Sequence, residues 1–256
     1  MRTSDKEIQK RLDATIEYLA ENGETHIEDL ANYLSISPLT VRRNIRELQE
    51  QNIIELKNSN LSLNQSAQKK WMRLKNRDAR VRIQQAAAAM VQPGDVCYIN
   101  TSYTALGILK YISDTPCTVI TNNVNVVNIE RSPLVRVVLT GGDLHATRSS
   151  VVGEAAIRML NFNRANKCFI GIDSISLESG LSANDFSEAA LTQQMIESCT
   201  GEVILVSTSD KFAHSAPFFV ASLNKINTFI TDGKINMLTL YEMRDNRNIK
   251  VIVTSA

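Results

Sequence analysis

The sequence has few cysteines and histidines, and neither type is grouped as a metal site or a disulfide framework would need. The three histidines are isolated from one another, and no Cys-x-x-Cys pair occurs. Three of the four cysteines lie in or beside apolar runs, which favours small buried thiols in a reducing compartment. We therefore expect no metal site and no other cofactor. The four cysteines are Cys97, Cys117, Cys168 and Cys199.

Long apolar runs are also missing. No apolar stretch reaches the ~18 residues that a membrane-spanning helix needs, and no N-terminal apolar run resembles a signal peptide. These absences predict a cytoplasmic protein with no membrane partner.

The charge of the chain is unevenly distributed along its 256 residues, although the formal net charge is only +1. Residues 1–37 carry 4 Lys/Arg against 8 Asp/Glu, whereas residues 38–82 carry 11 against 4. A basic block of this kind indicates a polyanionic partner. For the part beyond residue 65, the alternative is a charged linker helix. The hydrophobic fraction of 43% is sufficient for a small domain and a larger one.

Residues 27–52 have the pattern of two short helices separated by a tight turn. Thr25 and Glu28 form a capping box at the start of the first helix. Ser37 is a good N-cap for the second helix, and Pro38 occupies its first position. Apolar residues at helical spacing predict one buried stripe on each helix. These stripes are Ile27, Leu30, Ala31 and Leu34 on the first helix, and Val41, Ile45 and Leu48 on the second.

The opposite face of the second helix is basic. At about 100° per residue, this face carries Leu39, Arg43 and Arg46, with Thr40 and Arg42 at its edges. Two helices with exposed arginines on the second are typical of a helix-turn-helix, whose second helix enters the major groove of DNA. The alternative is a helical hairpin with an ordinary solvated basic face.

A β-hairpin follows the second helix. Apolar residues alternate at 53–56 and 61–63 on either side of an Asn-rich turn, and a further helix precedes residue 23. These elements predict a winged helix-turn-helix. Arg43 and Arg46 are expected to face the bases, and five further candidate residues are expected to contact the DNA backbone. The other candidates are Ser37, Thr40, Arg42, Lys57 and Asn58.

Residues 65–91 contain no Gly or Pro and predict a connecting helix with a break near Asn76. Trp71 and Leu74 are expected to pack on the first domain, and Ile83 and Ala87 on the second. The predicted domains are a winged helix-turn-helix at 1–64, a connecting helix at 65–92 and an α/β effector-sensing domain at 93–256.

Strand and helix patterns alternate beyond residue 93, and the strands are nearly continuous Val/Ile runs. This pattern predicts an open, mostly parallel α/β sheet with both faces covered by helices. The predicted strands are residues 96–100, 117–121, 135–140, 167–172, 202–207, 228–231 and 250–253. The predicted helices are residues 102–112, 124–130, 154–160, 187–198 and 235–244.

Polar residues follow five of these strands, and ligands of such sheets bind at the carboxyl ends of the strands. Hydroxyl and amide groups there could hold an anion, Asp173 could accept sugar hydroxyls, and Lys211 could pair with a phosphate. The alternatives are N-capping, a plain turn at the glycine pair, and an ion pair between Asp173 and Lys211. The effector-binding candidates are Asn100, Thr101, Ser102, Thr104, Asn122, Gly141, Gly142, Asp173 and Lys211.

Several blocks, in this order and at these spacings, resemble the DeoR family of bacterial transcription regulators over nearly the whole chain. The resemblance implies a sensor domain similar in fold to ribose-phosphate isomerase, operator DNA as a partner, and a phosphorylated sugar or related metabolite as effector. Most members repress operons for sugar uptake and breakdown. The blocks are residues 37–45, 119–123, 139–144, 152–153, 171–173, 188–190 and 209–212.

The chain departs from the family pattern at several sites. Asn44 replaces the usual Asp after the Arg-Arg pair, and the His-Gly-Gly of the wing is absent. The first strand end lacks the family's glycine and includes Tyr103, and His145 stands where Arg is common after the glycine pair. These differences indicate an unusual effector or weak binding.

We therefore expect a DNA-binding, non-enzymatic repressor that acts as a dimer or tetramer on repeated half-sites. One alternative is a sugar-phosphate isomerase or deaminase with an appended DNA-binding-like domain, although Asp173 is followed by Ser174 and not by a second carboxylate. Another is a winged domain that docks onto protein, which the basic block makes less favourable.

Overall fold

The computed structural model describes residues 5–213 and 216–254, and the chain folds into two compact units, Met1–Arg77 and Asp78–Ala256. This division lies inside the predicted connecting segment. The predicted domain boundaries at residues 64 and 92 stay predictions. None of the helices in the described ranges is both long and apolar enough to cross a bilayer.

The first unit is a winged helix-turn-helix. Its three leading helices pack around one apolar core that includes Leu12, Leu30, Val41 and Ile45, as the predicted stripes require. Its helices are α1 (Asp5–Asn22), α2 (Ile27–Leu34), α3 (Pro38–Glu50) and α4 (Gln65–Lys75). Its strands are β1 (Thr25–His26), β2 (Ile54–Lys57) and β3 (Asn60–Leu63).

The hairpin of strands β2 and β3 closes through a two-residue turn in which Asn58 and Ser59 have φ of 49° and 69°. Positive φ at both positions is typical of the turn that matches the twist of a hairpin. The capping box predicted at Thr25 is wrong, because Thr25 pairs with Leu61 as part of β1. The N-cap of α2 is instead His26, whose side chain accepts a hydrogen bond from the Glu28 amide.

The connecting segment forms two helices, α4 and α5 (Arg77–Ala88), with Asn76 between them. Ile83 and Ala87 are buried in the second unit, which confirms their predicted packing. Leu74 is 61% exposed, so its predicted packing on the first unit is wrong. Helical spacing identifies a face, but it does not show whether that face meets a partner.

The second unit contains a seven-stranded parallel sheet in the order β15-β14-β12-β9-β4-β5-β6. All seven predicted strands are present, with ends that differ by two residues at most. They are β4 (Val96–Ile99), β5 (Cys117–Thr121), β6 (Val135–Leu139), β9 (Lys167–Ile170), β12 (Glu202–Val206), β14 (Thr228–Asp232) and β15 (Lys250–Thr254).

The two faces of the sheet bury separate apolar clusters, as parallel strands covered on both sides require. In β9, Cys168 and Ile170 pack into one cluster and Phe169 into the other. Cys97, Cys117 and Cys168 are buried free thiols. The α-helices after α5 are α6 (Tyr103–Leu106), α7 (Glu154–Phe162), α8 (Phe186–Ser198) and α9 (Met237–Tyr241).

Three of the predicted helices are shorter or less regular than expected. A 3₁₀ turn continues α6 over Gly107–Tyr111, another replaces the predicted helix at 124–130, and a π turn follows α9. At Gly107 a Cβ would lie 2.1 Å from the Gln84 amide nitrogen, so this turn packs closely against α5. Asn and Val, which are poor helix formers, dominate residues 124–128.

Two antiparallel pieces were not predicted. The hairpin β7–β8 joins Asp143–Leu144 to Val151–Val152. A separate three-stranded sheet has the order β10-β11-β13, from Ser174–Ser176, Gly180–Ala183 and Phe218–Ala221. Strands of two to four residues are too short to give a clear alternation in sequence.

Candidate DNA-binding surface and effector site

Helix α3 begins as the sequence predicts. Ser37 is its N-cap and accepts a hydrogen bond from the Thr40 amide at 3.2 Å, and Pro38 follows at the first position. The Ser37 and Thr40 hydroxyls also bond to each other at 2.9 Å. Both side chains therefore set the start of the helix, and their phosphate contacts stay predictions.

The outer face of α3 is basic and open. Arg42, Arg43 and Arg46 are exposed, and none of their guanidinium groups bonds to another residue in the part of the chain that the structure describes. Val41, Asn44, Ile45 and Leu48 point inward. A helix that presents three unpaired guanidinium groups offers donors for guanine edges and for phosphate oxygens.

Asn44 lies on the buried side of α3, and only 6% of it is exposed. Its Nδ2 has no hydrogen-bond partner among the described residues. An unsatisfied buried donor costs free energy, so this donor does not help to anchor α3.

The wing carries the two remaining DNA candidates at its tip. Lys57 is largely exposed, and its Nζ lies 3.0 Å from the Glu55 carboxylate. The hydrogen bond to Glu55 raises the pKa of Lys57, so it stays cationic. Asn58 is exposed in the turn beside it.

The switch point of the parallel sheet lies between the neighbouring strands β4 and β9, because the chain leaves these strands towards opposite edges of the sheet. We call the region outside the carboxyl ends of these strands the crevice. Open α/β sheets bind ligands at such a switch point, outside the carboxyl ends of the strands. Asn100 follows β4 there, and Gly171 follows β9.

Asn100 bridges this crevice with both ends of its amide group. Its Nδ2 donates to the Gly171 carbonyl at 2.9 Å and to Thr192 Oγ1 at 3.3 Å. Its Oδ1 accepts from the Gly171 amide at 3.1 Å and from the Ser102 amide at 3.3 Å. An Asn amide has two donors and two acceptor positions, so none remains for an effector. Its predicted contact with an effector stays a prediction that requires these bonds to break.

Ser102 and Thr104 lie at the start of α6. Ser102 caps α6 through the Ala105 amide, as the N-capping alternative proposes, and Thr104 is buried. A Cβ at Gly171 would lie 1.9 Å from Ser102 Oγ. Gly171 is therefore required for the close approach of the two strand ends.

Thr101 links the ends of β4 and β5. Asn122 Nδ2 donates to Thr101 Oγ1 at 2.7 Å, and Asn123 Nδ2 donates to the Thr101 carbonyl at 2.9 Å. Asn122 Oδ1 is buried and has no partner in the described residues. This acceptor is unsatisfied, whereas a buried polar atom normally has a partner.

The glycine pair after β6 has two different roles. Gly141 and Gly142 have φ of 68° and 116°, backbone angles that residues with a side chain rarely adopt. A Cβ at Gly142 would lie 2.4 Å from the Val152 carbonyl, whereas one at Gly141 would meet open space. Gly142 therefore allows the hairpin β7–β8 to pack closely, and only Gly141 faces space that a ligand could enter.

Asp173 and Lys211 do not form an ion pair in the described residues, so the proposed alternative of a mutual salt bridge is wrong. Asp173 instead accepts a hydrogen bond from the Asn184 amide at 2.9 Å. Lys211 is half-buried in a turn, and buried Asp232 holds that turn by accepting bonds from the Ser209 amide at 2.8 Å and hydroxyl at 2.9 Å. Asp232 was not among the predicted site residues, although a carboxylate directly after a predicted strand is a readable signal.

A hydrogen bond and an ion pair connect the loop of the hairpin β7–β8 to the start of α8, and neither was predicted. His145 Nε2 lies 2.9 Å from the carboxylate of Asp185, the N-cap of α8. Arg148 pairs with Glu188, which is 7% exposed and also accepts a bond from the Ser150 hydroxyl at 3.0 Å.

We call these contacts the hairpin clasp. Burial alone favours a neutral Asp185, but hydrogen bonds from the Glu188 amide and from His145 outweigh it and lower the pKa of Asp185. The spacing of Asp185 and Glu188 is typical of a helix start, but partners 40 residues away leave no pattern in sequence.

The fold and these sites define a class of protein. A winged helix-turn-helix with an open arginine face, followed in the chain by a parallel α/β unit with a polar crevice, is the organisation of a ligand-responsive DNA-binding regulator.

Comparison with protein families identifies the particular group. Residues 11–58 match the DeoR-like helix-turn-helix domain, and residues 75–233 match the DeoR C terminal sensor domain. The chain belongs to the DeoR family of transcriptional regulators, which confirms the resemblance drawn from its sequence blocks.

Curated relatives match over nearly their whole length. The HTH-type transcriptional repressor GlcR of Bacillus subtilis is 26% identical over 96% of this chain and 96% of its own. The glycerol-3-phosphate regulon repressor of Escherichia coli is 26% identical over 88% and 90%. The lactose phosphotransferase system repressor of Staphylococcus epidermidis is 26% identical over 87% and 91%.

Among solved structures, ribose 5-phosphate isomerase A of Methanocaldococcus jannaschii is 13% identical with a TM-score of 0.37, covering 54% of this chain and 55% of its own. A likeness at this level carries no argument about function, so the fold class rests on the observed sheet and on the family match.

Proposed function

We propose that this chain represses a sugar-uptake or sugar-catabolism operon and releases its operator when a phosphorylated sugar or related metabolite binds the second unit. The proposal that this chain binds DNA rests on one observation, the open basic face of α3. There Arg42, Arg43 and Arg46 are exposed without ion-pair partners in the described residues. The three relatives described above are repressors, among them those of the glycerol-3-phosphate regulon and the lactose phosphotransferase system.

On the operator, Arg43 and Arg46 contact base edges. Arg42, Thr40, Ser37 and the wing residues Lys57 and Asn58 contact the backbone and fix the register of the helix. One short recognition helix discriminates weakly, so we propose a dimer or tetramer on repeated half-sites, which sedimentation of the free chain and of its DNA complex would measure.

The test of the DNA-binding surface uses the full chain and a duplex that the wild type selects from a random pool. Arg43→Ala is expected to weaken binding about tenfold or more, because a bidentate guanine contact is lost. Lys57→Ala is expected to weaken binding to all DNA sequences by the same factor and to reduce the salt dependence of binding.

Arg158→Ala is the matched control, because Arg158 lies in α7, is 65% exposed and pairs with Glu154. Unchanged binding by Arg43→Ala would reject α3 as the recognition helix. Salt-independent binding by the wild type would reject a DNA partner in favour of a protein partner.

In the second unit, we propose that the effector binds at the crevice formed by the strand ends. The buried, unpartnered Oδ1 of Asn122 supports a hydroxyl-bearing ligand, and half-buried Lys211 supports an anionic one. The proposed lining also includes Thr101, Ser102, Thr104, Gly141, Gly142 and Asp173. Asn100 joins it only if its present hydrogen bonds are exchanged for bonds to the effector.

A thermal-shift screen against triose, pentose and hexose phosphates tests this site, since a ligand of the native state raises the melting temperature by mass action. Lys211→Gln is expected to reduce the shift, and Lys225→Gln, an exposed lysine in another turn, to leave it unchanged. By reciprocity, an effector that releases DNA must bind the DNA complex more weakly than the free protein. No shift with any phosphorylated sugar would reject the effector class.

We further propose that the chain is not an enzyme. The Asp173 carboxylate, the candidate base, is held by the Asn184 amide, and the residue after it is Ser174. Incubation with pentose and hexose phosphates is expected to give no turnover above buffer, and measurable isomerisation or deamination would establish the enzymatic alternative.

A further inference from the structure

Leu39 is the apolar residue of α3 that the core does not use. Its side chain is 78% exposed, whereas Val41, Ile45 and Leu48 of the same helix are at most 2% exposed. Single exposed leucines are common, so exposure alone carries no functional meaning. The position of Leu39 on the helix is what gives it meaning.

Leu39 continues the arginine face towards the start of α3. Residues 39, 43 and 46 are separated by four and then three positions, so they form one stripe along the helix. The side chain of Leu39 is thus the member of this stripe in the first turn. In a helix-turn-helix, the residues near the start of the recognition helix contact base edges.

The first turn of α3 also lacks acidic residues, whereas the first turn of α2 has Glu28 and Asp29. The start of a helix favours negative charge, so a turn without it forgoes a common stabilisation. A surface that approaches phosphates has a reason to exclude carboxylates, and an apolar side chain among arginines then needs an apolar contact on the DNA.

We propose that Leu39 contacts the C5-methyl group of thymine in the major groove and so sets a sequence preference of the operator. This methyl group is the apolar feature that distinguishes thymine among base edges, and apolar side chains recognise it. The inference rests on the proposed function, because it requires α3 to be the recognition helix. Arg43 and Arg46 then contact the neighbouring bases or phosphates, and Leu39 adds discrimination between DNA sequences without adding charge.

The test uses the full chain and the duplex selected by the wild type, with each thymine of a half-site replaced in turn by deoxyuridine, which lacks only the methyl group. The wild type is expected to lose about three- to eightfold in affinity at one thymine position, as the loss of one buried apolar contact implies. Leu39→Ala is expected to bind the thymine and deoxyuridine duplexes equally.

Two controls separate this result from a general loss of binding. Leu74→Ala removes another exposed leucine of the first unit and is expected to keep the wild-type penalty for deoxyuridine. Leu39→Ala is expected to keep the wild-type melting temperature and the wild-type salt dependence, because Leu39 is exposed and uncharged.

The proposal is overturned if the wild type tolerates every deoxyuridine, if the selected half-site contains no thymine, or if Leu39→Ala keeps the penalty. In these cases, weakened binding by Arg43→Ala would still support the proposed DNA-binding surface. Unchanged binding by Arg43→Ala as well would instead reject that surface as a whole.

Discussion

Asn100 illustrates how one side chain decides the shape of the crevice in the second unit. Its amide joins the ends of β4 and β9 and reaches Thr192 of α8, and all of its donors and acceptors are used. The group is neutral, and it both donates and accepts hydrogen bonds. The sequence predicted an effector contact for Asn100 and did not reveal this structural role.

We expect Asn100→Asp to destabilise the second unit by about 2–4 kcal/mol at pH 7, because the buried carboxylate oxygen in place of Nδ2 would face the Gly171 carbonyl, which is also an acceptor. Burial would raise the folded-state pKa of the new carboxyl. A raised pKa means that the deficit grows as pH rises through it and shrinks towards pH 4. Thermal unfolding at several pH values measures this.

Asn128→Asp, at an exposed position of the same unit, is the control and should change the melting temperature little at any pH. An Asn100→Asp protein as stable as the wild type at pH 7 would show that the crevice does not depend on these hydrogen bonds.

At the scale of elements, the hairpin β7–β8 depends on the hairpin clasp more than on its own strands. It has only two residues in each strand, and backbone hydrogen bonds of Ser149 and Val151 tie it to Val124 and Asn122, which follow β5. Its loop is tied to α8 through His145, Arg148 and Ser150. An element this short does not fold alone, so tertiary contacts determine its position.

We expect Glu188→Gln to loosen this hairpin, because Arg148 loses its charged partner while the side chain keeps its size. The expected readout is faster hydrogen exchange of the backbone amides in residues 143–152, together with a lower melting temperature of the second unit.

Glu154→Gln removes the carboxylate of the exposed pair with Arg158 and is expected to change neither measurement. Equal exchange rates in wild type and Glu188→Gln would mean that the clasp is an incidental surface contact.

At the scale of the whole molecule, carboxylates with lowered pKa values in the second unit set its response to acid. Asp95 is 5% exposed, and its burial opposes ionisation. Hydrogen bonds from the Gln92 amide and Asn166, with the ion pair to Lys167 at 3.0 Å, nevertheless lower its pKa. Asp185 has a lowered pKa through the bonds described above.

We expect the melting temperature of the second unit to be nearly constant from pH 7 to about 5 and to fall below about pH 4. A lowered folded pKa gives stability that is present above the unfolded value of about 3.9 and is lost as pH falls through the folded value. Asp185→Asn should be less stable at pH 7 and should lose less stability on acidification than the wild type. A wild-type melting temperature that rises on acidification would contradict this account.

Much of the fold was readable from sequence for identifiable reasons. The seven sheet strands were found because strands buried on both faces need continuous apolar, β-branched runs. Helices α2 and α3 were found because Ser37, Pro38 and the apolar stripes act within a few residues of one another. The position of His26 as a cap and the exposure of Leu74 were missed, because both depend on what lies across the fold.

The sequence by itself determined the order of elements, the inward and outward faces of α3 and the edge of the sheet where polar residues collect, since these follow from local propensity and periodicity. Only the tertiary structure decided that Asn100 is saturated, that Asn122 keeps a buried acceptor, and that Asp173 and Lys211 stay apart. It also decided the pairing of His145 with Asp185. The physical reason is that hydrogen bonds and ion pairs between residues far apart in the chain depend on distances that packing sets, and one sequence position carries no record of its partner.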